Sequence, residues 1–254
     1  MPNYRISFQL YSARNFPPIE KHLETLAAIG FDAVEPYGGA YKADPKALRA
    51  KCDALGLKIP TCHMPLADLD ADRSAVIDAA KALGLETVIV PAVPPEQRTQ
   101  DADGWKALGA RLQDHAAAVK AAGLNFAWHN HAFEYVTLPD GSRPIEHLLS
   151  GADVKWEADL GWVARGGSDI ARELAKFKGK LAAFHIKDMA PAGVTKDDGW
   201  TDIGTGILDY KALWPSIEAA GTDLLVFEHD APSDWEAFAR NSYKYVSGLI
   251  GRKG

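Results

Sequence analysis

Histidine and carboxylate residues crowd into four short stretches of this sequence. The first is Trp128-His129-Asn130-His131-Ala132-Phe133-Glu134. The others are Glu157-Ala158-Asp159, His185-Ile186-Lys187-Asp188 and Glu228-His229-Asp230. Imidazole and carboxylate are the side chains that bind divalent first-row metals or move protons near neutral pH. One such cluster alone is more often a wet loop than a site. Four of them, each following an apolar run, point to a common destination. Two or three carboxylates with one or two imidazoles suit Mn2+, Zn2+, Co2+ or Fe2+ better than a sulfur-rich site would.

The chain that must position these groups has 254 residues, 47% of them hydrophobic and 24% charged, with a net charge of −6. This is a globular composition, long enough for a full core. An acidic balance argues against nucleic acid as a partner, because that binding is led by phosphate neutralisation. No run of about 18 apolar residues occurs, so no membrane span is expected. The first residues lack the charged-then-apolar pattern of a secretory signal, and a cytoplasmic location is the expectation. Cys52 and Cys62 have no metal-finger spacing and are expected to be reduced and structural.

Strand and helix patterns alternate strictly. Strands are expected at Ile6–Tyr11, Phe31–Val34, Leu57–Thr61, Thr87–Val93, Leu124 to Ala127, Val154–Leu160, Leu181–Ile186 and Leu224–Phe227. Asp44-Pro45, Ser168-Asp169 and Ser233-Asp234 read as helix starts, and Gly30, Gly56, Gly84 and Gly123 as helix stops followed at once by a strand. Eight strand–helix units of this kind predict a parallel sheet closed into a single (β/α)8 barrel domain over residues 1–254. An open doubly wound sheet would bring a glycine-rich loop after strand one. That turn reads Tyr11-Ser12-Ala13-Arg14-Asn15, which is not one.

In such a barrel the C-terminal strand ends form one mouth. They would deliver Gln9, Glu35, His63, His129, His131, Glu134, Glu157, Asp159, His185, Lys187, Glu228, His229 and Asp230. Alternation puts Glu157 and Asp159 on one face, with Asp159 nearer the end and the better metal ligand. Glu157 sits deeper, behind the ligands or against substrate. Glu228 is preferred to Asp230 because it is closer to the barrel. His129 and His131 share a face, while Glu134 must reach back from the loop.

At this point the residues resemble a family. The order Trp128-His129-Asn130-His131-x-Phe133-Glu134, Glu157-Ala158-Asp159-Leu160-Gly161-Trp162, His185-Ile186-Lys187-Asp188 and Phe227-Glu228-His229-Asp230 looks like the sugar phosphate isomerase/epimerase proteins of the xylose isomerase-like TIM barrel superfamily. Gly204-Thr205-Gly206-Ile207-Leu208-Asp209 is similar to the Gly-x-Gly stretch that those proteins carry before the seventh helix. The resemblance implies one divalent metal ion, Mn2+ before Zn2+, Co2+, Fe2+ or Mg2+, held by Glu, Asp, His and Glu from strands five to eight. Asp159, His185 and Glu228 match that set. Where many relatives have the strand-five Glu this chain has His129. The nearest carboxylate, Glu134, is taken as the fourth ligand, with His129 as the alternative. Trp162 stands where many epimerase relatives place a histidine that touches substrate.

The expected function is a metal-dependent sugar isomerase or epimerase acting on a ketose or keto-sugar through proton abstraction and a metal-stabilised enediolate. Expulsion of a β-substituent would make the same site a dehydratase or lyase of the inosose type. Catalytic candidates are Glu228, His129, His131 and Lys187. Glu35, His63, Glu157 and Trp162 are candidates for substrate contact, and Trp128, Trp200, Tyr37 and Phe8 for stacking on a sugar. The loop from Met189 to Gly206 reads as a lid or as a solvated insertion. The partner is a small sugar, and a homo-oligomer is compatible with the composition. Three rivals remain: a non-catalytic sugar-binding or partner-dependent subunit, the three-metal DNA-repair endonuclease of the same superfamily, which the acidic charge disfavours, and a metal-free retaining glycosidase, which needs carboxylates about 5 Å apart.

Overall fold

A computed structural model describes residues 3–252. Its eight barrel strands are β1 (Arg5–Gln9), β2 (Ala33–Glu35), β3 (Thr61–His63), β4 (Thr87–Val90), β5 (Asn125–His129), β6 (Val154–Asp159), β7 (Leu181–Ile186) and β8 (Leu224–Phe227). Each pairs in parallel with its neighbours, and β1 pairs with β8. The ring closes between β2 and β3 through two bridges, Ala33 with Lys58 and Tyr37 with His63. This is the TIM barrel that the alternation predicted.

Local chemistry explains most boundaries. Gly30, Gly56, Gly84 and Gly123 all adopt positive φ, as helix stops feeding a strand require. Asp44, Asp169 and Asp234 each accept a backbone N–H from the first turn of the helix they precede. β3 starts later than expected because Pro60 has no N–H to donate. Leu57 to Pro60 bridges β2 only through Lys58. β1 stops at Gln9, whose side chain accepts from Tyr11 N and opens a 3-10 turn at Leu10–Ala13. The helix expected from Asp70 begins at Leu66 and is interrupted at Asp72, whose carboxylate caps Ala75 N.

The strands bury both faces differently. Ile6, Phe8, Val34, Val88, Phe126, Trp128, Trp156, Phe184, Ile186 and Phe227 join one cluster against the surrounding helices. Ala183, Leu224 and Val226, which alternate with them, form a separate small cluster. The positions that alternate with the outer set elsewhere are short or polar, among them Ser7, Gln9, Glu35, Thr61 and Glu157, all at most 1% exposed. Bulky branched residues commonly fill such barrels. Here polar groups reach down into the ring.

Candidate functional site

β5 to β8 deliver the polar cluster, and a single amide locks two of them together. Asn130 Oδ1 accepts from Trp156 Nε1 (2.7 Å) and Asp159 N (3.0 Å), while its Nδ2 donates to Asp159 O (3.2 Å). The Asp159 carboxylate in turn accepts from Trp162 N (2.7 Å) and starts a short helix, Leu160–Arg165, where the sequence reading expected only the end of a strand. Asp159 is thereby fixed at the barrel mouth, with Oδ1 engaged and Oδ2 buried without a hydrogen-bond partner.

Around that oxygen lie His185 Nδ1 at 3.8 Å, His129 Nε2 at 4.0 Å and Lys187 Nζ at 3.7 Å. Glu228 Oε2 is 3.1 Å from both His185 Nδ1 and Lys187 Nζ. His129, Asp159, His185 and Glu228 each offer one atom to a set mutually within 4.8 Å, a spacing on which a metal ion can be centred. The orphaned Asp159 oxygen and the N2O2 donor set fit a divalent cation. Burial pushes the Asp159 carboxyl up to about 7 despite the pull of Lys187, as expected of a ligand lacking its counter-charge. Burial alone would also raise Glu228, yet Lys187 and His185 hold its carboxylate well below the usual range.

Beneath this set lies a second one. His63 Nε2 is 2.7 Å from Glu157 Oε2 and 3.2 Å from Glu35 Oε1. Gln9 Nε2 donates to Glu35 Oε1 at 2.7 Å. Burial would lower the His63 imidazole, but the facing Glu35 and Glu157 carboxylates outweigh it and raise it. A cavity of about 330 Å3 opens above, lined by Tyr11, Tyr37, His63, His129, His131, Glu228 and Asp230 among others. That volume is at the low end for ligand pockets and suits a small polar molecule. A larger surface hollow of about 520 Å3 beside Arg98, Trp105 and Phe133 is lined by neither imidazole nor carboxylate.

Several sequence expectations change. Glu134, taken as the fourth ligand, stands outside both sets. Its Oε1 accepts from Trp128 Nε1 (3.1 Å) and its Oε2 from His131 N (2.8 Å), which turns it into the brace of the loop after β5. His129, the alternative, falls within both sets instead. Glu35 and Glu157, expected to touch substrate, are fully buried and do not line the cavity. His63 does line it, whereas Trp162 packs edge-on against Trp200 and beside His131. Phe8 and Trp128 are core residues at 0% exposure. His131 lies in the cavity wall with Nδ1 unpartnered, and burial followed by neighbouring His129 holds it well below the usual imidazole range. Tyr11, on the rim, was not anticipated.

The loop read as a lid is pinned. The Asp188 carboxylate accepts N–H bonds from Met189 (2.9 Å), Gly204 (2.9 Å), Gly206 (3.1 Å) and Leu208 (3.1 Å). The Gly-x-Gly stretch thus cradles a side chain of the protein itself, and a Cβ on Gly206 would sit 2.3 Å from Asp188 Oδ1. A two-stranded antiparallel ribbon, Asp188–Met189 with Trp200–Thr201, braces the same loop. Trp200 lies between the Arg165 guanidinium (3.4 Å from the ring centroid) and Lys187 Nζ (4.3 Å).

Comparison with known proteins extends the picture. Inosose dehydratase from Lacticaseibacillus casei is 22% identical over 271 residues, covering 91% of this chain and 89% of that protein. A sugar phosphate isomerase/epimerase from Parabacteroides distasonis superposes with a TM-score of 0.84 at 19% identity, covering 100% of this chain and 96% of the other. The IolI protein, solved with a bound zinc atom, gives 0.78 at 15% identity over 98% of both chains. The family model described as xylose isomerase-like TIM barrel matches residues 23–246, and this chain belongs to that family.

Proposed function

We propose that this protein is a divalent-metal-dependent sugar isomerase or epimerase acting on a ketose or keto-sugar. One observation carries the reading: the unpartnered Asp159 Oδ2 faces ring nitrogens of His129 and His185 beside Glu228, and His129 and Glu228 of this set line a small cavity. The metal, when bound by His129, Asp159, His185 and Glu228, supplies Lewis acidity that makes a proton next to a carbonyl easier to remove.

The remaining steps fall to the chain itself. His131 is neutral and open to the cavity, so it can take a proton from a substrate carbon. Asp230 lines the same cavity, 2.5 Å from Lys187 Nζ, a pair able to return a proton. Two proton-handling groups lining one cavity suit epimerisation or isomerisation. The Lys187 ammonium, whose pKa burial would lower but Glu228 and Asp230 raise, adds a fixed positive charge beside developing oxyanion character. The Tyr11–Tyr37 pair at the rim offers an aromatic edge for the carbon face of a sugar.

A second reading keeps the first proton transfer and replaces the return by loss of water. The likeness to inosose dehydratase across nine-tenths of the chain supports it. Elemental analysis followed by solvent deuterium exchange tests both. Metal with exchange into recovered ketose or its epimer supports the first reading, and exchange with water loss the second. No metal and no exchange across ketoses and 3-keto-sugars would remove the enzymatic proposal.

A further inference from the structure

Two sets of donors share the same two imidazoles. The outer set is His129, Asp159, His185 and Glu228, and the inner set is His63, His129, Glu157 and His185. The rings use opposite nitrogens for the two. His129 turns Nε2 toward Asp159 (4.0 Å) and Nδ1 toward Glu157 Oε2, a 3.2 Å approach that is not aligned as a hydrogen bond and leaves Nδ1 with no other partner. His185 turns Nδ1 toward Glu228 (3.1 Å) and Asp159 (3.8 Å), and Nε2 toward Glu35 Oε1 (2.8 Å) and Glu157 Oε2 (3.2 Å). A neutral imidazole carries one N–H and one lone pair, so the nitrogen that holds a proton against a carboxylate leaves the other free to bind a cation.

The two sets are not equally prepared for an ion. Glu157 Oε2 already faces three ring nitrogens, those of His63, His129 and His185, and Glu35 Oε1 already accepts from Gln9. In the outer set, by contrast, Asp159 Oδ2 has no hydrogen-bond partner. Glu35 Oε2 and Glu157 Oε1 are also unpartnered, so the inner set is the rival seat for a cation. We infer that Glu157 and Glu35 are positioning residues. Glu157 keeps the His129 proton on Nδ1, and Glu35 keeps the His185 proton on Nε2. His129 Nε2 and His185 Nδ1 then present their lone pairs outward to a single cation beside Asp159 and Glu228. This rests on the proposed metal dependence and adds which nitrogen of each ring serves it and what holds it there.

The test uses zinc alone on metal-stripped protein carrying 15N in the histidine rings. Calorimetry on the unmodified chain should give one zinc per chain. In the zinc form the ring protons should lie on His129 Nδ1 and His185 Nε2. Glu157→Gln and Glu35→Gln should each bind zinc about 10- to 100-fold more weakly at the same stoichiometry. Asp159→Asn should lose far more. The inference is overturned if the ring protons lie on His129 Nε2 or His185 Nδ1, or if both glutamine variants bind zinc as tightly as the parent. It is overturned equally if Glu157→Gln abolishes binding while Asp159→Asn keeps it, since the inner set would then hold the ion. Absence of zinc binding by the unmodified chain would instead bring down the metal reading itself, before any variant is made. Should Glu157→Gln fail to fold, the ring-proton positions in the parent and the Glu35→Gln titration still decide.

Discussion

The two ends of the barrel use charge in opposite ways. At the N-terminal ends of the strands, Arg5 pairs with Asp223 (3.0 Å) and Glu86 (2.6 Å), and Arg252 pairs with Asp32 (2.6 Å). These groups are partly exposed and each has its opposite charge. At the mouth, Asp159, Glu157, Glu35 and Lys187 are all at 0% exposure, and three of those carboxylates keep an oxygen without a hydrogen-bond partner. Exposed pairs in water are worth little and cost little. Buried charge is expensive unless something completes it. The contrast leaves the incompletely paired buried charge, and with it the proposed chemistry, at the mouth.

The sharpest way to break that contrast is Asp159→Asn. It should remove the bound divalent ion and lower kcat/KM by about a thousandfold or more, checked by elemental analysis and solvent deuterium exchange. An active, metal-loaded variant would sink it. Next comes His131→Gln, which should keep the metal and lower kcat by about 10²- to 10³-fold. If metal content falls with it, His131 belongs with the ligands.

The next effects concern stability. Asp188→Ala strips four N–H groups of their acceptor and should cost about 2–4 kcal/mol in urea unfolding, with the Met189 to Gly206 loop becoming protease-sensitive. An equally stable variant would restore the lid reading. Glu134→Gln should cost about 1–3 kcal/mol, because a glutamine has one acceptor oxygen for the two N–H donors of Trp128 and His131, yet it should keep the metal. Loss of metal would return Glu134 to the ligand set.

The smallest effect belongs to the other end. Burial would raise the Asp32 carboxyl, but Arg252 and the Ile6 N–H outweigh it and lower it. A carboxyl whose pKa is depressed on folding stabilises above its unfolded value, about 4, and loses that contribution as pH falls through the folded value. Arg252→Ala should therefore cost about 1 kcal/mol at pH 7, with the gap to the parent closing below about pH 4 in thermal melts. A gap that persists in acid would mean that Arg252 acts through packing on Tyr243 instead.

Much of this was legible in the residues. Helix caps at Asp44, Asp169 and Asp234 and glycine stops at four positions fix the alternation, and the alternation fixes the barrel. Asp159, His185 and Glu228 could be grouped because each closes an apolar strand. Depth was harder to read. Glu157 and Asp159 share a face but stand two residues apart, about 6–7 Å along the strand. Period tells which way a side chain points and not whether it ends in the cavity or below it. Glu134 misled because its distance in sequence allowed a reach back to the mouth, while the nearer Trp128 and His131 N–H groups claimed both oxygens. Asn130 carried a signal that went unused: an amide flanked by two imidazoles, with donor and acceptor enough to fasten two strands. The Gly-x-Gly stretch stood out only through the family resemblance, and it holds Asp188.

The joint between β2 and β3 rests on isolated bridges where the other seams have ladders. Glu35 ends one of these strands and His63 the other, 3.2 Å apart. The same side chains that underlie the imidazole pair therefore act as a clasp for the cylinder. Amide exchange should begin at this clasp, and whatever fills the mouth should slow it there more than anywhere else on the circumference.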